Sequence, residues 1–92
     1  MMVNILLMVS LSLLHPESAF ELNGKLYVSD IGKFGVEDGR ILVKKSSSWT
    51  ELAHGMLDPK GLAAVDDSTL IVTDVKRVRK VSLSGRVEDA FP

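Results

Sequence analysis

Leu26-Tyr27-Val28-Ser29-Asp30 returns 44 residues later as Leu70-Ile71-Val72-Thr73-Asp74, so the chain carries an internal repeat. The match continues upstream. There His15-Pro16-Glu17-Ser18-Ala19-Phe20 aligns with Asp58-Pro59-Lys60-Gly61-Leu62-Ala63 at a spacing of 43, which leaves the two copies one residue out of step before Leu26. Each copy reads as a Pro-containing junction, a short run, a turn, and a β-rich run that ends in Asp.

Period-two alternation, β-branched content and breakers at the joints divide each copy into four strands. In the first copy these are Ser18 to Glu21, Lys25 to Ser29, Arg40 to Lys44 and Trp49 to Ala53. Asn23-Gly24 joins the first two, and both residues suit a type I′ turn, which needs positive φ at each central position. In the second copy the strands are Gly61 to Val65, Thr69 to Thr73, Val78 to Leu83 and Arg86 to Phe91, with turns at Asp66-Asp67-Ser68 and Ser84-Gly85. Gly32, Gly35 and Gly39 mark a loop between Asp30 and Arg40 that is four residues longer than its counterpart. Pro16 and Pro59 lack a ladder donor and so belong at strand starts. A 40- to 45-residue unit of several short strands is the size of one propeller blade. The fold class expected is all-β: two consecutive four-stranded antiparallel propeller blades, about 15–56 and 57–92, as a fragment of a six-bladed β-propeller. Ninety-two residues build one small core but do not close such a ring.

A 46% hydrophobic and 25% charged composition with a net charge of −1 suits a β-rich globular domain and gives no electrostatic signature of a polyanionic partner. Cysteine is absent, which removes disulfides, thiolate metal sites and cysteine nucleophiles. Residues 1–14 carry no charge. They are too few to span a bilayer, so no stable membrane span is expected. Their length suits the apolar region of a secretory signal, with Ser10-Leu11-Ser12 as a small-x-small cleavage pattern, although no Lys or Arg precedes it. The protein is then expected to be secreted or periplasmic. The competing reading makes Val3 to Leu14 a buried strand in a cytoplasmic protein.

Asp30 and Asp74 recur at one position, which points to a shared structural role, that of a short carboxylate accepting backbone N–H bonds where the strand leaves the sheet. His15 and His54 have the chemistry of general bases, but the sequence offers neither a partner, and no nucleophile elbow accompanies Ser46-Ser47-Ser48. Trp49 is expected to anchor the outer strand of the first copy against the core; its indole could instead mark a ligand surface. Lys76-Arg77-Val78-Arg79-Lys80 is the one dense basic run. In a strand, Arg77 and Arg79 share a face opposite Lys76 and Lys80, and no aromatic residues interleave for base stacking, so it reads as solvated edge charge with no nucleic-acid partner.

Pro16-Glu17-Ser18-Ala19-Phe20, Lys25-Leu26-Tyr27-Val28-Ser29-Asp30-Ile31-Gly32, Asp38-Gly39-Arg40-Ile41 and Leu57-Asp58-Pro59-Lys60-Gly61-Leu62-Ala63 together resemble the start of a six-bladed propeller. The superfamily is the one that includes senescence marker protein, gluconolactonase and strictosidine synthase, and the segments also resemble NHL-repeat proteins. The resemblance covers about residues 15 to 91. It implies a central channel that binds a small-molecule ligand, and export behind a signal. In lactonase-like relatives a glutamate on the first inner strand helps hold a divalent metal such as calcium, with Asn and Asp ligands from other blades. Glu17 is the residue that matches it, in Glu17-Ser18-Ala19 where those relatives usually carry Glu-Gly-Pro. By itself Glu17 is one carboxylate, whereas calcium takes six to eight oxygens. The expected function is therefore a ligand-binding or interaction scaffold, with a metal-dependent lactonase-like hydrolase in a full-length parent as the alternative. Exposed blade faces are expected to drive self-association.

Overall fold

A computed structural model of the chain describes residues 13–33 and 35–91; the leader expected over 1–14 lies outside these apart from Leu13 and Leu14. Eight strands follow one another: β1 (Pro16–Leu22), β2 (Lys25–Asp30), β3 (Gly39–Lys45), β4 (Ser48–Met56), β5 (Pro59–Asp66), β6 (Thr69–Asp74), β7 (Arg77–Ser82) and β8 (Val87–Asp89). They form two four-stranded antiparallel meanders, β1-β2-β3-β4 (sheet 1) and β5-β6-β7-β8 (sheet 2), with no helix among the described residues and hence no helix long and apolar enough to cross a membrane.

The turns explain the order. Asn23 (φ 53°) and Gly24 (φ 79°) make the hairpin between β1 and β2, with positive φ at both positions as a type I′ turn requires. Asp66 Oδ1 accepts from the Ser68 amide at 2.8 Å and hydroxyl at 3.0 Å, closing the turn into β6. The Ser68 amide and then its hydroxyl hold that carboxyl below the ordinary value of 3.8.

Several boundaries differ from the sequence reading. β4 runs on to Met56, β8 is confined to Val87–Asp89, and β7 begins at Arg77 after a two-residue turn. Register places Asp30 opposite Arg40 but Asp74 opposite Arg77, so the first copy's insertion is longer than the four residues expected. Gly39 belongs to β3 and not to the loop: a Cβ there would lie 2.4 Å from Pro59 Cδ and 2.7 Å from the Met56 carbonyl oxygen, so only glycine admits this approach between the sheets.

The core lies between the sheets. Tyr27, Ile41, Val43, Ala53 and Met56 of sheet 1 meet Leu70, Val72 and Val81 of sheet 2. Ile41, Met56, Leu70, Val72 and Val81 are wholly buried, each worth about 1.5–3 kcal/mol against exposure. β5 lies against β1 and β2, and two side chains tie the sheets together. Ser29 Oγ donates to the Lys60 carbonyl at 2.7 Å, and Asn23 Nδ2 donates to the Asp67 carbonyl at 3.1 Å.

Candidate functional site

Strand alternation gives each sheet two faces. In sheet 1 the odd residues of β2, Tyr27 and Ser29, face sheet 2. The even ones, Leu26, Val28 and Asp30, face away and share rows with Lys44, Leu42 and Arg40 of β3. β4 adds Trp49, Glu51 and His54 to that outward face, through pairing with Lys44, Leu42 and Arg40.

An open groove of about 370 Å³ lies on this face, lined chiefly by Pro16, Ala19, Leu26, Val28 and Trp49, with Glu17 the one charged residue along it among the described residues. Trp49 therefore lines a surface and does not anchor the inter-sheet core. The physical reason is the register shift between Ile41 and Leu42, which puts two β4 residues against one β3 step and breaks the alternation that would otherwise set Trp49 on the side of Ala53. Lys44 Nζ lies 5.9 Å from the Trp49 ring centroid. Glu17 sits at the irregular start of β1, between Pro16 and Ser18 where the register shifts, and is exposed.

A second, more polar cavity of about 360 Å³ opens beside Glu37, Asp38, Arg40, Glu51 and His54. Leu13 lines the first cavity and Leu14 the second, so the approach to β1 separates them. His54 Nδ1 donates to Glu51 Oε2 at 2.8 Å, a pairing the sequence did not reveal. His15 also has a partner, the Gly32 carbonyl, at 2.5 Å from Nδ1. Among the described residues, no three His, Cys, Asp or Glu side chains converge as metal ligands, so nothing described joins Glu17 in a metal site. Ser48 Oγ bonds locally to the Lys45 carbonyl at 3.4 Å, in the turn between β3 and β4.

The recurring aspartates clamp the chain. Asp30, fully buried, accepts from the amides of Leu14 (2.9 Å), His15 (2.6 Å) and Gly32 (3.3 Å) and from Arg40 Nη2 (3.1 Å). Burial alone would raise its pKa. The Leu14 and His15 amides, Arg40 and the Gly32 amide outweigh burial and hold the carboxyl below 3.8. Asp74 repeats the arrangement, taking the amides of Leu57 (3.0 Å) and Asp58 (2.7 Å) and facing Arg79 Nη1 at 3.3 Å.

Arg79 corrects the reading of the basic run as solvated edge charge. Its side chain is 14% exposed and lies between Asp74 and Asp89, because β8 and not β7 is the sheet edge. Lys80 pairs with Glu88 across the strands at 4.0 Å. Sequence reasoning gave Trp49 a ligand surface only as its second reading and did not foresee the groove around it. Its trace in the sequence was the alternation of Leu26 and Val28 with Tyr27 and Ser29, which leaves apolar residues on both faces of one strand. No known protein family, curated protein or solved structure matches the chain.

Proposed function

We propose that the chain is a propeller-type repeat module acting as a ligand-binding or interaction scaffold, with the outward face of sheet 1 as its working surface. The observation that carries this is the groove: about 370 Å³, mostly apolar, with Glu17 as the single charged residue among the described residues that line it. That volume and chemistry are those of small-ligand pockets, where an apolar wall supplies affinity and a few polar groups set orientation. Its occupant has an apolar body and a hydrogen-bond donor or cation for Glu17.

The reading of the two sheets as blades of a six-bladed propeller rests on the repeat, on the duplicated aspartate clamp, and on the approach of β5 to β1, the placement innermost strands take about an axis. Self-association through exposed blade faces belongs to the same proposal. So does export: cleavage after Ser12 leaves the Leu14 and His15 amides that Asp30 holds, and intact-mass analysis from the native host should find the chain beginning at Leu13.

Trp49 is the chain's single tryptophan, so it reports on the groove directly. Titration with N-phenyl-1-naphthylamine, a neutral fluorophore that accepts energy from tryptophan, should show saturable quenching of Trp49. Ala19→Arg, at an exposed position, should weaken that response at least tenfold with the thermal midpoint unchanged. Unaltered Trp49 emission at saturating probe, or an unaffected variant, refutes the reading.

A further inference from the structure

We propose that the chain cuts its own backbone between Asp58 and Pro59, with the buried Asp58 Oδ1 as nucleophile, and so separates its two repeat units.

Independent observations meet at this bond. Asp58 Oδ1 is buried and accepts no hydrogen bond from any described residue. Such an acceptor destabilises a fold, so a chain that keeps one has a use for it. Lys60 Nζ stands 3.9 Å from Oδ2, so the paired oxygen and the orphaned one are distinct. The backbone around them is fixed. The Asp58 amide donates to Asp74 Oδ1 at 2.7 Å, and Pro59, wholly buried, pairs with Asp74 at the start of β5. A residue that precedes proline is also kept extended. The repeat then shows that the fold itself does not call for a carboxyl here. His15 holds the equivalent place before Pro16, and its amide is clamped by Asp30 at 2.6 Å as the Asp58 amide is by Asp74. Both clamps use the main-chain amide alone, so the carboxyl of Asp58 is particular to the second copy.

The chemistry balances within one residue and its neighbour. Oδ1, Cγ, Cβ, Cα and the carbonyl carbon of Asp58 close into the ring of a cyclic anhydride, so nucleophile and electrophile need no encounter. The Pro59 nitrogen is that of a tertiary amide and leaves as a secondary amine. In the first step Oδ1 bonds to the Asp58 carbonyl carbon, the bond from that carbon to Pro59 N breaks, and the departing electron pair takes up the carboxyl proton. The products are an anhydride on Asp58 and a new amino terminus at Pro59. Water then adds to the anhydride, which restores the side-chain carboxyl and leaves a main-chain carboxyl at Asp58. The sum is hydrolysis of one peptide bond, with nothing oxidised or reduced. Burial assists the attack, because an oxygen already stripped of water has no hydration to shed. After the cut, Ile41 and Met56 still pack against Leu70, Val72 and Val81, so the two units stay docked though no longer joined.

Denaturing mass analysis of the full chain during incubation at about pH 5 tests this, since acid supplies the proton that the step takes up while the Asp30 clamp is still intact. Fragments that end at Asp58 and begin at Pro59 should accumulate. They should form at least about tenfold faster in native buffer than in urea at the same pH, because only the folded chain buries Oδ1 and fixes the backbone beside it. Asp58→His, which copies the junction of the first repeat, should stay whole. Asp58→Glu keeps the carboxyl but enlarges the ring by a methylene, and should cut at least about tenfold more slowly. A wild type that stays intact overturns the proposal. So does cutting as fast in urea as in buffer, which would be the ordinary acid lability of an Asp-Pro bond, and so does cutting at this bond that persists unchanged in Asp58→Glu. Should a variant fail to fold, the wild type in buffer against the wild type in urea still decides.

Discussion

Replacing Asp30 by Asn tests whether the buried aspartates hold the fold, because the amide keeps the shape and removes the charge. Asp30 Oδ1 accepts from the His15 amide at 2.6 Å and the Gly32 amide at 3.3 Å; Oδ2 accepts from the Leu14 amide at 2.9 Å and Arg40 Nη2 at 3.1 Å. Whichever way the amide turns, its NH₂ meets at least one backbone donor. Arg40, with its side chain 15% exposed, also loses its ion pair with Asp30. Breaking a buried ion pair from one side costs about 3–5 kcal/mol, and an orphaned buried donor about 1–3 kcal/mol more. A chain of 92 residues has roughly 5–14 kcal/mol in all. Asp30→Asn should thus lower the urea midpoint by about 4 M or more for a slope near 1 kcal/mol per molar, measured by circular dichroism at a concentration below association. Asp74→Asn should behave differently. Its Oδ1 takes both backbone donors and its Oδ2 faces both arginines, so an amide oxygen turned toward Leu57 and Asp58 keeps them and leaves its NH₂ against Arg79. Hydrogen exchange should then show the Leu14 and His15 amides losing protection in Asp30→Asn while Leu57 and Asp58 keep theirs in Asp74→Asn. The pH dependence has a definite sign. Because the folded pKa of Asp30 lies below 3.8, the unfolded chain binds more protons in acid, so this stabilisation is complete above about pH 4 and is lost as pH falls through the folded value. An Asp30→Asn midpoint within about 0.5 M of wild type with both amides still protected would refute the clamp, since orphaned buried donors cannot be that cheap.

Gly39→Ala drives a Cβ to within 2.4 Å of Pro59 Cδ and should cost about 2–3 kcal/mol in urea unfolding; a neutral result would mean the sheets slide freely at that contact. Val75 is a β-branched residue at φ 56°, 55% exposed, in the turn between β6 and β7. Val75→Asn should therefore stabilise by about 1 kcal/mol and raise the thermal midpoint by about 4–8 °C, whereas a fall would show that Val75 packs on something. Calcium titrated calorimetrically into the full chain should give no micromolar isotherm; one that Glu17→Gln abolishes would show that oxygen ligands do converge on Glu17.

The strand order was legible because it is local. Alternation, Asn23-Gly24 and the Pro16 and Pro59 junctions each act over a few residues, and the structure places eight strands near the runs they define. The aspartate clamp was legible for another reason: a short carboxylate that returns at Asp30 and Asp74 is serving the unit that repeats. What escaped was phase. A shift between Ile41 and Leu42 reverses which β4 residues face the core, and no local rule marks it, so alternation alone sets Trp49 on the wrong side. Arg79 escaped likewise. A run of cations resembles solvated charge until register sets one of them between Asp74 and Asp89.

Recurrence also sorts structural from copy-specific chemistry, and here it bears on where function sits. Residues that keep their type in both copies serve the fold: Pro16 and Pro59, Val28 and Val72, Ser29 and Thr73, Asp30 and Asp74. At two places on the groove the copies diverge. Glu17 stands where the second copy has Lys60. Trp49, opposite Lys44 in the row of Leu26, stands where register places Val87, opposite Val81 in the row of Leu70. Val87 packs against the inter-sheet core, but Trp49 looks outward with a carboxylate nearby. A repeat that needed only to stack on its neighbour has no use for an indole and a charge at those two places, since a small aliphatic residue already suffices in sheet 2. The divergence is what the proposed scaffold role of the groove predicts. Exchanging Trp49 for valine should then leave unfolding close to wild type and change what that face binds.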